Sequence, residues 1–318
     1  MIALAPVVVA DDVPVPSLLR TPSFGCTICS RMKDVQTRRA LRPLVQSVVH
    51  PTDFSPASER AFAHALAIAV LRQTSLTLLH VEKGKHDWRN FPAVRKTLER
   101  WGLLEPGSAQ EDVFAKLGVR VTKLTIDSAM PVRSLLGWLD DNPTDLLVVA
   151  TEGREGLSRW MHGSVAEAMA RTSKTMTLFV PSDAERDFVS LRDGDLSLTN
   201  VLVPVDHSPD WSAALEFARR AAELAGDAQV TITLLHVGTP GSGPRIVAED
   251  ADAWRFVRMD RTGDPVEQIV AAAAELKAEL VIMPTAGRAG VVEALRGSTT
   301  ERVLRRVRCP LLAVPARS

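Results

Sequence analysis

Two residue patterns in this chain could together bind a mononucleotide. Asp53 follows a short apolar segment that has the character of a strand. A later apolar run, 146–149, leads through a loop to the pair Gly163-Ser164. Glycines let the backbone approach a phosphate closely, and the free N–H groups at the start of a helix attract anions. A carboxylate nearby can accept hydrogen bonds from a ribose or a base.

The whole set of landmarks occurs twice along the chain. The recurring segments, first copy before second, are 48–53 and 201–206, 78–81 and 234–237, Gly153 and Gly287, and Gly163-Ser164 and Gly297-Ser298. The distance along the chain from 78–81 to Gly153 is longer than that from 234–237 to Gly287. The first copy therefore holds an insertion. A repeat of this length is a whole domain and not a solenoid unit.

Each pattern also has an ordinary structural explanation. Gly-Ser before a helix is often an N-cap, and an aspartate after a strand is often a turn former or a helix cap. Arg154 and Arg288, each directly after a loop glycine, could contact a phosphate or lie in solvent. The recurrence of the complete set in both copies favours a nucleotide pocket.

The elements that must position these residues alternate between strands and helices. The first predicted strand runs from about Leu44 and ends at Asp53. The others are 75–81, 119–126, 146–149 and 175–180, then 201–205, 229–237, 254–260, 279–283 and 310–314. The predicted helices are 58–72, 131–141, 163–171, 211–225, 265–278 and 297–306. Strands that are apolar nearly throughout indicate a parallel sheet covered on both faces. We therefore predict an α/β protein with two tandem, doubly wound, five-stranded sandwiches.

The repeat also predicts the domain boundaries. We expect an N-terminal extension at 1–43, a first domain at 44–182, an exposed linker at 183–198 and a second domain at 199–318. The extension has neither a helical nor a strand period and is expected to be partly disordered. The insertion of the first domain, 82–118, has apolar residues at helical spacing, which predicts one or two helices.

The composition excludes several classes of partner. The chain has 318 residues, with 38 Lys and Arg against 38 Asp and Glu, so no overall field favours nucleic acid or an anionic membrane. No run approaches the roughly 18 apolar residues that a membrane span needs. Three cysteines and no recognisable signal peptide predict a reducing, cytoplasmic location.

The ordered motifs resemble those of the universal stress protein family. They are Pro51-Thr52-Asp53-Phe54-Ser55, Leu78-Leu79-His80-Val81, Gly153, and Gly163-Ser164-Val165-Ala166-Glu167. The resemblance covers roughly 44–181 and 199–316 and is that of a tandem member. It implies that the two domains pair through their last strands as an intrachain pseudo-dimer, and that whole chains could form a homodimer.

The resemblance also implies a ligand set. Nucleotide-binding members show Gly, two residues, Gly, nine residues, then Gly followed by Ser or Thr, and here Ala150 and Pro284 take the first position. Because proline fixes φ and lacks an N–H, the second copy departs further, so ATP is expected in the first. The implied binding residues are Pro51, Thr52, Asp53, Val81, Ala150, Gly153, Arg154, Gly163, Ser164 and Val165, and in the second copy Asp206, Val237, Gly287, Gly297 and Ser298.

The charge of Glu152 beside the expected phosphates leaves more than one adenine nucleotide as a candidate. Glu152 would repel a triphosphate unless Mg²⁺ lies between them, so ADP or AMP are alternatives to ATP.

Other reactive side chains receive structural interpretations. Cys26 and Cys29 lack a second pair of metal ligands, so no zinc site is predicted, and Cys309 is expected to be a buried apolar residue. His80 and His236 end apolar strands and are not expected to be catalytic. Ser55 and Ser208 are expected to cap helices, since no paired base supports a hydrolase triad.

These observations predict a nucleotide-binding stress-response or regulatory protein that acts through its conformation or through an unidentified protein partner. No general base recurs beside the expected phosphates, so rapid turnover is not predicted. The alternative is an interaction scaffold that does not bind nucleotide, favoured by Pro284 for the second copy. A slow ATPase is a weaker alternative, since the chain lacks a P-loop.

Overall fold

The computed structural model describes residues 45–84, 87–151, 175–225, 229–285 and 299–316. The predicted N-terminal extension with Cys26 and Cys29 lies outside these ranges. So do the glycine loops of both copies. The predicted site residues that fall there are Gly153, Arg154, Gly163, Ser164, Val165, Gly287, Gly297 and Ser298.

Ten strands form one continuous sheet. They are β1 Ser47–Pro51, β2 Ser75–Glu82, β3 Arg120–Asp127, β4 Leu146–Thr151, β5 Met176–Pro181, β6 Asn200–Pro204, β7 Val230–Val237, β8 Trp254–Arg261, β9 Leu280–Thr285 and β10 Leu311–Pro315. Their spatial order is β3-β2-β1-β4-β5-β10-β9-β6-β7-β8. The first five strands thus form one parallel half and the last five the other, as the repeat predicts.

Helices cover both faces of the sheet. They are α1 Pro56–Arg72, α2 Val94–Arg100, α3 Asp112–Leu117, α4 Pro131–Asp141, α5 Ser212–Leu224, α6 Pro265–Glu275 and α7 Thr299–Leu304, with a 3-10 turn at Trp88–Asn90. The turn, α2 and α3 lie in the segment that was predicted as a helical insertion. Pro131 and Pro265 begin α4 and α6, where a missing N–H leaves no helical bond unmade.

The two halves meet through their last strands. β5 and β10 pair antiparallel, with Leu178 opposite Leu312 and Phe179 opposite Leu311. Each strand would otherwise be an exposed sheet edge, and the pairing satisfies both. The predicted intrachain pseudo-dimer is confirmed.

Alternation along the strands divides the core into two layers. Val48 packs with Phe62 and Leu66 of α1, in the layer that also contains α5. The next residue, Val49, packs with Leu135 on the opposite face, in the layer of α4, α6 and α7. Successive strand residues point to opposite faces, so one apolar run supplies both layers.

The connection between the halves is not the exposed linker that its composition predicts. Phe188, Val189 and Leu198 are at most 7% exposed, and Val189 forms a β-bridge with Leu196. Arg60 of α1 donates to Asp187 at 2.8 Å. These few apolar residues pack beneath α1 and α5, so the prediction of exposure is wrong for them, while residues such as Arg192 are exposed as predicted.

Candidate functional site

A crevice opens in each half where the order of the strands reverses. The ladder between β1 and β4 contains two pairs, Val48–Leu146 and Val49–Leu147. The equivalent ladder between β6 and β9 also contains two. β2 and β3, by contrast, pair over their full length. The inner strands therefore diverge towards their carboxyl ends, where α/β sheets bind ligands.

An aspartate stands at the mouth of each crevice. Asp53 and Asp206 lie two residues beyond the ends of β1 and β6 and are exposed. Oδ1 of Asp53 accepts the N–H of Ser55 at 3.0 Å, and Oδ1 of Asp206 accepts that of His207 at 2.7 Å. These bonds hold each carboxylate in place. No described residue donates to either Oδ2, which can accept a hydroxyl of a ligand.

The backbone of Val81 forms a second wall of the first crevice. The carbonyl of Leu79 accepts the N–H of Thr52 at 2.9 Å, so Leu79 presents its backbone to β1. Two residues further, Val81 faces the same side, but β1 has ended at Pro51. Among the described residues, none forms a hydrogen bond with the backbone of Val81 on this side. Its N–H and C=O can therefore pair with the edge of a flat heterocycle.

A histidine at the equivalent position of each copy holds the walls of its crevice together. Nδ1 of His80 donates to the carbonyl of Thr52 at 2.7 Å, and Nδ1 of His236 donates to that of Val205 at 3.3 Å. Both rings are almost fully buried. Each histidine thus fixes the residue before the aspartate, which agrees with a structural role.

The floor of the first crevice is a chain of buried polar groups. Nδ1 of His50 donates to the carbonyl of Val148 at 2.9 Å, and Nε2 lies 3.3 Å from Oγ of Ser58. Oγ of Ser58 lies 3.1 Å from Oγ1 of Thr52, which also accepts the N–H of Phe54. The chain links β1, β4 and α1. The side-chain oxygen, the N–H and the C=O of Thr52 all take part in hydrogen bonds, so Thr52 can line the crevice but offers a ligand mainly van der Waals contact.

His50 is neutral in this environment. The ring is fully buried, and burial lowers its pKa from 6.5 to about 4, against the opposing effects of its bond to Val148 and the charge of Asp53. With Nδ1 donating to Val148, Nε2 of the neutral ring carries no proton and lies beside the Ser58 hydroxyl. Sequence reasoning missed both His50 and Ser58, although a histidine inside an apolar strand was a visible signal.

The second copy has an apolar floor in the same place. Val203, Val205 and Trp211 occupy the positions of His50, Thr52 and Ser58. The crevice here encloses a cavity of about 250 Å³ whose walls include Asp206 and Val237.

One polar group of this second cavity is unsatisfied. Thr285, the last residue of β9, lines the cavity and is 4% exposed, and its Oγ1 has no hydrogen-bond partner among the described residues. A buried hydroxyl without a partner costs about 1–3 kcal/mol, which a polar ligand or a water would recover. Sequence reasoning did not select this residue, because only the fold shows that it faces the cavity.

Pro284 lies within β9 and not in the loop. The carbonyl of Thr285 accepts the N–H of Ala316, so Thr285 faces β10. Backbone groups of successive strand residues point to opposite sides, so Pro284 faces β6, where pairing has already ended at Leu202–Val281. The proline therefore sacrifices no ladder hydrogen bond. Ala150 likewise lies inside β4, opposite Val180. Neither position therefore requires the conformational freedom that glycine gives to a loop.

Two serines predicted as caps differ. Ser55 caps α1, and its Oγ accepts the N–H of Ser58. Ser208 caps no helix, because α5 begins only at Ser212 after a cis bond between Ser208 and Pro209. The side chain of Asp210 instead accepts the N–H of Ser212, the first residue of α5. The prediction for Ser208 was wrong because the loop of the second copy is longer.

Cys309 is buried, as predicted, and its thiol is free. Burial raises the pKa of this thiol to about 12.

Within the described ranges, no helix combines the length and the apolar character that a membrane span requires. No group of three or more His, Cys, Asp or Glu side chains in the same ranges could hold a metal ion.

Comparison with known proteins agrees with this architecture. The model of the universal stress protein family matches residues 45–181 and 248–315. A universal stress protein of Mycobacterium tuberculosis H37Rv is 26% identical over 297 residues, which cover 83% of this chain and 95% of that protein. One from Methanocaldococcus jannaschii is 26% identical over 149 residues, or 39% of this chain and 86% of that one.

A solved structure shows the same fold. The universal stress protein of Archaeoglobus fulgidus DSM 4304 superposes with a TM-score of 0.54 at 21% identity, covering 86% of this chain and 97% of that one. The family match spans both halves, and the mycobacterial relative matches across nearly its whole length. The chain therefore belongs to the universal stress protein family, of which it is a tandem member.

Proposed function

We propose that this protein binds an adenine nucleotide in its first copy, and that occupancy regulates its conformation or its contacts with a protein partner. A stress-response role follows from the family and belongs to the same proposal. The second crevice is a further candidate nucleotide site. Pro284 lies in a strand and not in the loop, so its fixed φ and missing N–H do not argue against binding there.

One observation carries the proposal. At the carboxyl ends of diverging strands, a fixed carboxylate and an unpaired strip of backbone face the same open space. Asp53 can accept the hydroxyls of a ribose, while the N–H and C=O of Val81 can pair with the edge of an adenine. Pro51 and Thr52 would form the side of this space through their backbone.

The phosphates would then extend towards the loop that follows Thr151. The sequence assigns them to Gly153, Arg154, Gly163, Ser164 and Val165, and in the second copy to Gly287, Gly297 and Ser298. Any Mg²⁺ would be shared between the phosphates and this loop, where it would offset the charge of Glu152.

Titration calorimetry with ATP, ADP and AMP on nucleotide-free protein tests the proposal. In Asp53→Asn, the amide keeps the oxygen that accepts the Ser55 N–H but replaces an acceptor with a donor. A charged hydrogen bond contributes about 1.5–3 kcal/mol, so affinity should fall roughly tenfold or more. Asp206→Asn reports on the second crevice in the same way. The control is Asp141→Asn, an exposed aspartate at the end of α4.

Mass spectrometry of nucleotide released from freshly purified protein gives an independent answer. Wild-type protein that neither retains nor binds any adenine nucleotide would overturn the proposal and support the scaffold alternative. Equal affinities of wild type, Asp53→Asn and Asp141→Asn would remove the first crevice as the site. A loss confined to Asp206→Asn would move the site to the second copy.

A further inference from the structure

A separate cavity lies between the two halves, away from both crevices. It has a volume of about 110 Å³ and sits on the face of the sheet covered by α1 and α5. Leu178 and Leu312, which face each other across the β5–β10 junction, lie on its floor. The beginnings of β4 and β9 also contribute, so the cavity lies towards the amino ends of these strands, opposite the crevices.

The walls of this interdomain cavity follow the pseudo-symmetry of the repeat. Equivalent positions of the two copies occur in pairs. These pairs are Val45 with Leu198, Leu146 with Leu280, and Leu178 with Leu312. Phe188 and Leu196 of the connecting segment close one side and break the symmetry. The cavity is thus a product of fusing two domains, since its walls require both copies and their connection.

The chemistry of the walls is almost uniform. All lining side chains are aliphatic or aromatic except Arg72 and Arg220. Protein interiors contain few voids larger than a water molecule, and an apolar cavity of about 150 Å³ in another protein stays dry and binds benzene. The interdomain cavity is of comparable size. It can hold an alkyl chain or a small ring but offers nothing to a polar molecule inside.

The two arginines supply a positive charge at its edge. Arg220 donates to Glu216 at 2.7 Å and its side chain is 24% exposed. Arg72 ends α1 and, among the described residues, forms no ion pair within 4 Å. Its pKa is lowered by burial and then by the charge of Arg220, with Glu223 opposing. A half-buried guanidinium without an anion is stabilised when a carboxylate reaches it.

We propose that the interdomain cavity binds the chain of a medium-length alkyl carboxylate, with Arg72 holding the carboxylate. The anion and the apolar chain are both needed. A neutral alcohol of the same length fills the cavity but leaves Arg72 unpaired, and an alkyl ammonium places like charges together. This site is independent of the proposed nucleotide crevices.

Calorimetric titration of the full chain with octanoate tests this inference. We expect one site per chain, at least tenfold weaker binding of octan-1-ol, and no binding of octylammonium. Arg72→Gln should weaken octanoate at least tenfold. Arg89→Gln, which removes an exposed arginine from the turn at Trp88–Asn90, should leave the affinity unchanged. ATP should not compete with octanoate.

A cavity-filling variant separates ligand binding from folding. Ala221 of α5 lines the cavity, and Ala221→Leu should abolish octanoate binding while raising Tm, because the larger side chain occupies empty space. No heat with wild type would show an empty packing void and overturn the proposal. Undiminished octanoate binding by Ala221→Leu or by folded Arg72→Gln, equal affinity for octan-1-ol, or competition with ATP would overturn it too. If Arg72→Gln does not fold, the alcohol comparison and Ala221→Leu still decide.

Discussion

His50 makes the stability of this protein depend on pH. Replacing it with the residue at the equivalent position of the second copy should remove that dependence. The ring is buried and neutral, with a pKa of about 4 in place of 6.5. Below pH 6.5 the unfolded chain takes up a proton that the folded chain refuses until about pH 4. Stability contributed by neutral His50 is therefore complete above pH 6.5 and is lost as the pH falls towards 4.

The size of the effect follows from the two pKa values. Each unit between them corresponds to about 1.4 kcal/mol, so the full loss is about 3 kcal/mol, of which about 2 kcal/mol is gone by pH 5. Val203 stands at this position in the second copy, so His50→Val is the natural perturbation. The variant loses the bonds to Val148 and Ser58 at every pH, but it has no group there to titrate.

Urea unfolding followed by far-UV circular dichroism at pH 7.5, 6.5, 5.5 and 5.0 measures the difference. Between pH 7.5 and 5.0, wild type should lose about 2 kcal/mol more unfolding free energy than His50→Val. His207→Val, which removes an exposed histidine, serves as the control for the substitution itself. The reasoning is refuted if wild type and His50→Val lose stability in parallel over this range.

Two further predictions concern burial. Cys309, with a buried thiol whose pKa is about 12, should react with a thiol reagent only on unfolding. The Cys26→Ser, Cys29→Ser variant leaves Cys309 as its single cysteine for this measurement. Prompt labelling of that native protein would contradict the prediction. Phe188→Ala should lower the free energy of unfolding by about 3 kcal/mol, because the ring packs against His64 at 4.8 Å and closes the interdomain cavity. Leu191→Ala, an exposed leucine of the same segment, is the control and should change stability by less than about 0.5 kcal/mol. Similar losses in both variants would show that the segment does not pack as described.

The alternation of strands and helices, the duplication and the family could all be predicted from the sequence. These depend on local pattern, since apolar runs, turn residues such as Pro131 and ordered motifs are legible without neighbours. The positions of Asp53 and Val81 at a common edge also followed, because parallel strands place their carboxyl ends together.

The roles of several site residues depended on contacts between distant segments. His50, Ser58 and Val148 belong to β1, α1 and β4, and only packing reveals that they form one buried chain. Pro284 looked harmful in sequence because the strand was predicted to end before it. The direction of its backbone is a property of the sheet.

Sequence alone thus determined the kind of fold, its doubling and the edge of the sheet at which the candidate site residues meet, because these depend on local periodicity and on repeated motifs. Tertiary structure decided which of the two floors is polar and that the apolar residues Phe188, Val189 and Leu198 of the connecting segment are buried. It also decided that fusion leaves a cavity at the junction. Each of these depends on which side chains meet across the sheet, and a linear pattern does not contain those distances.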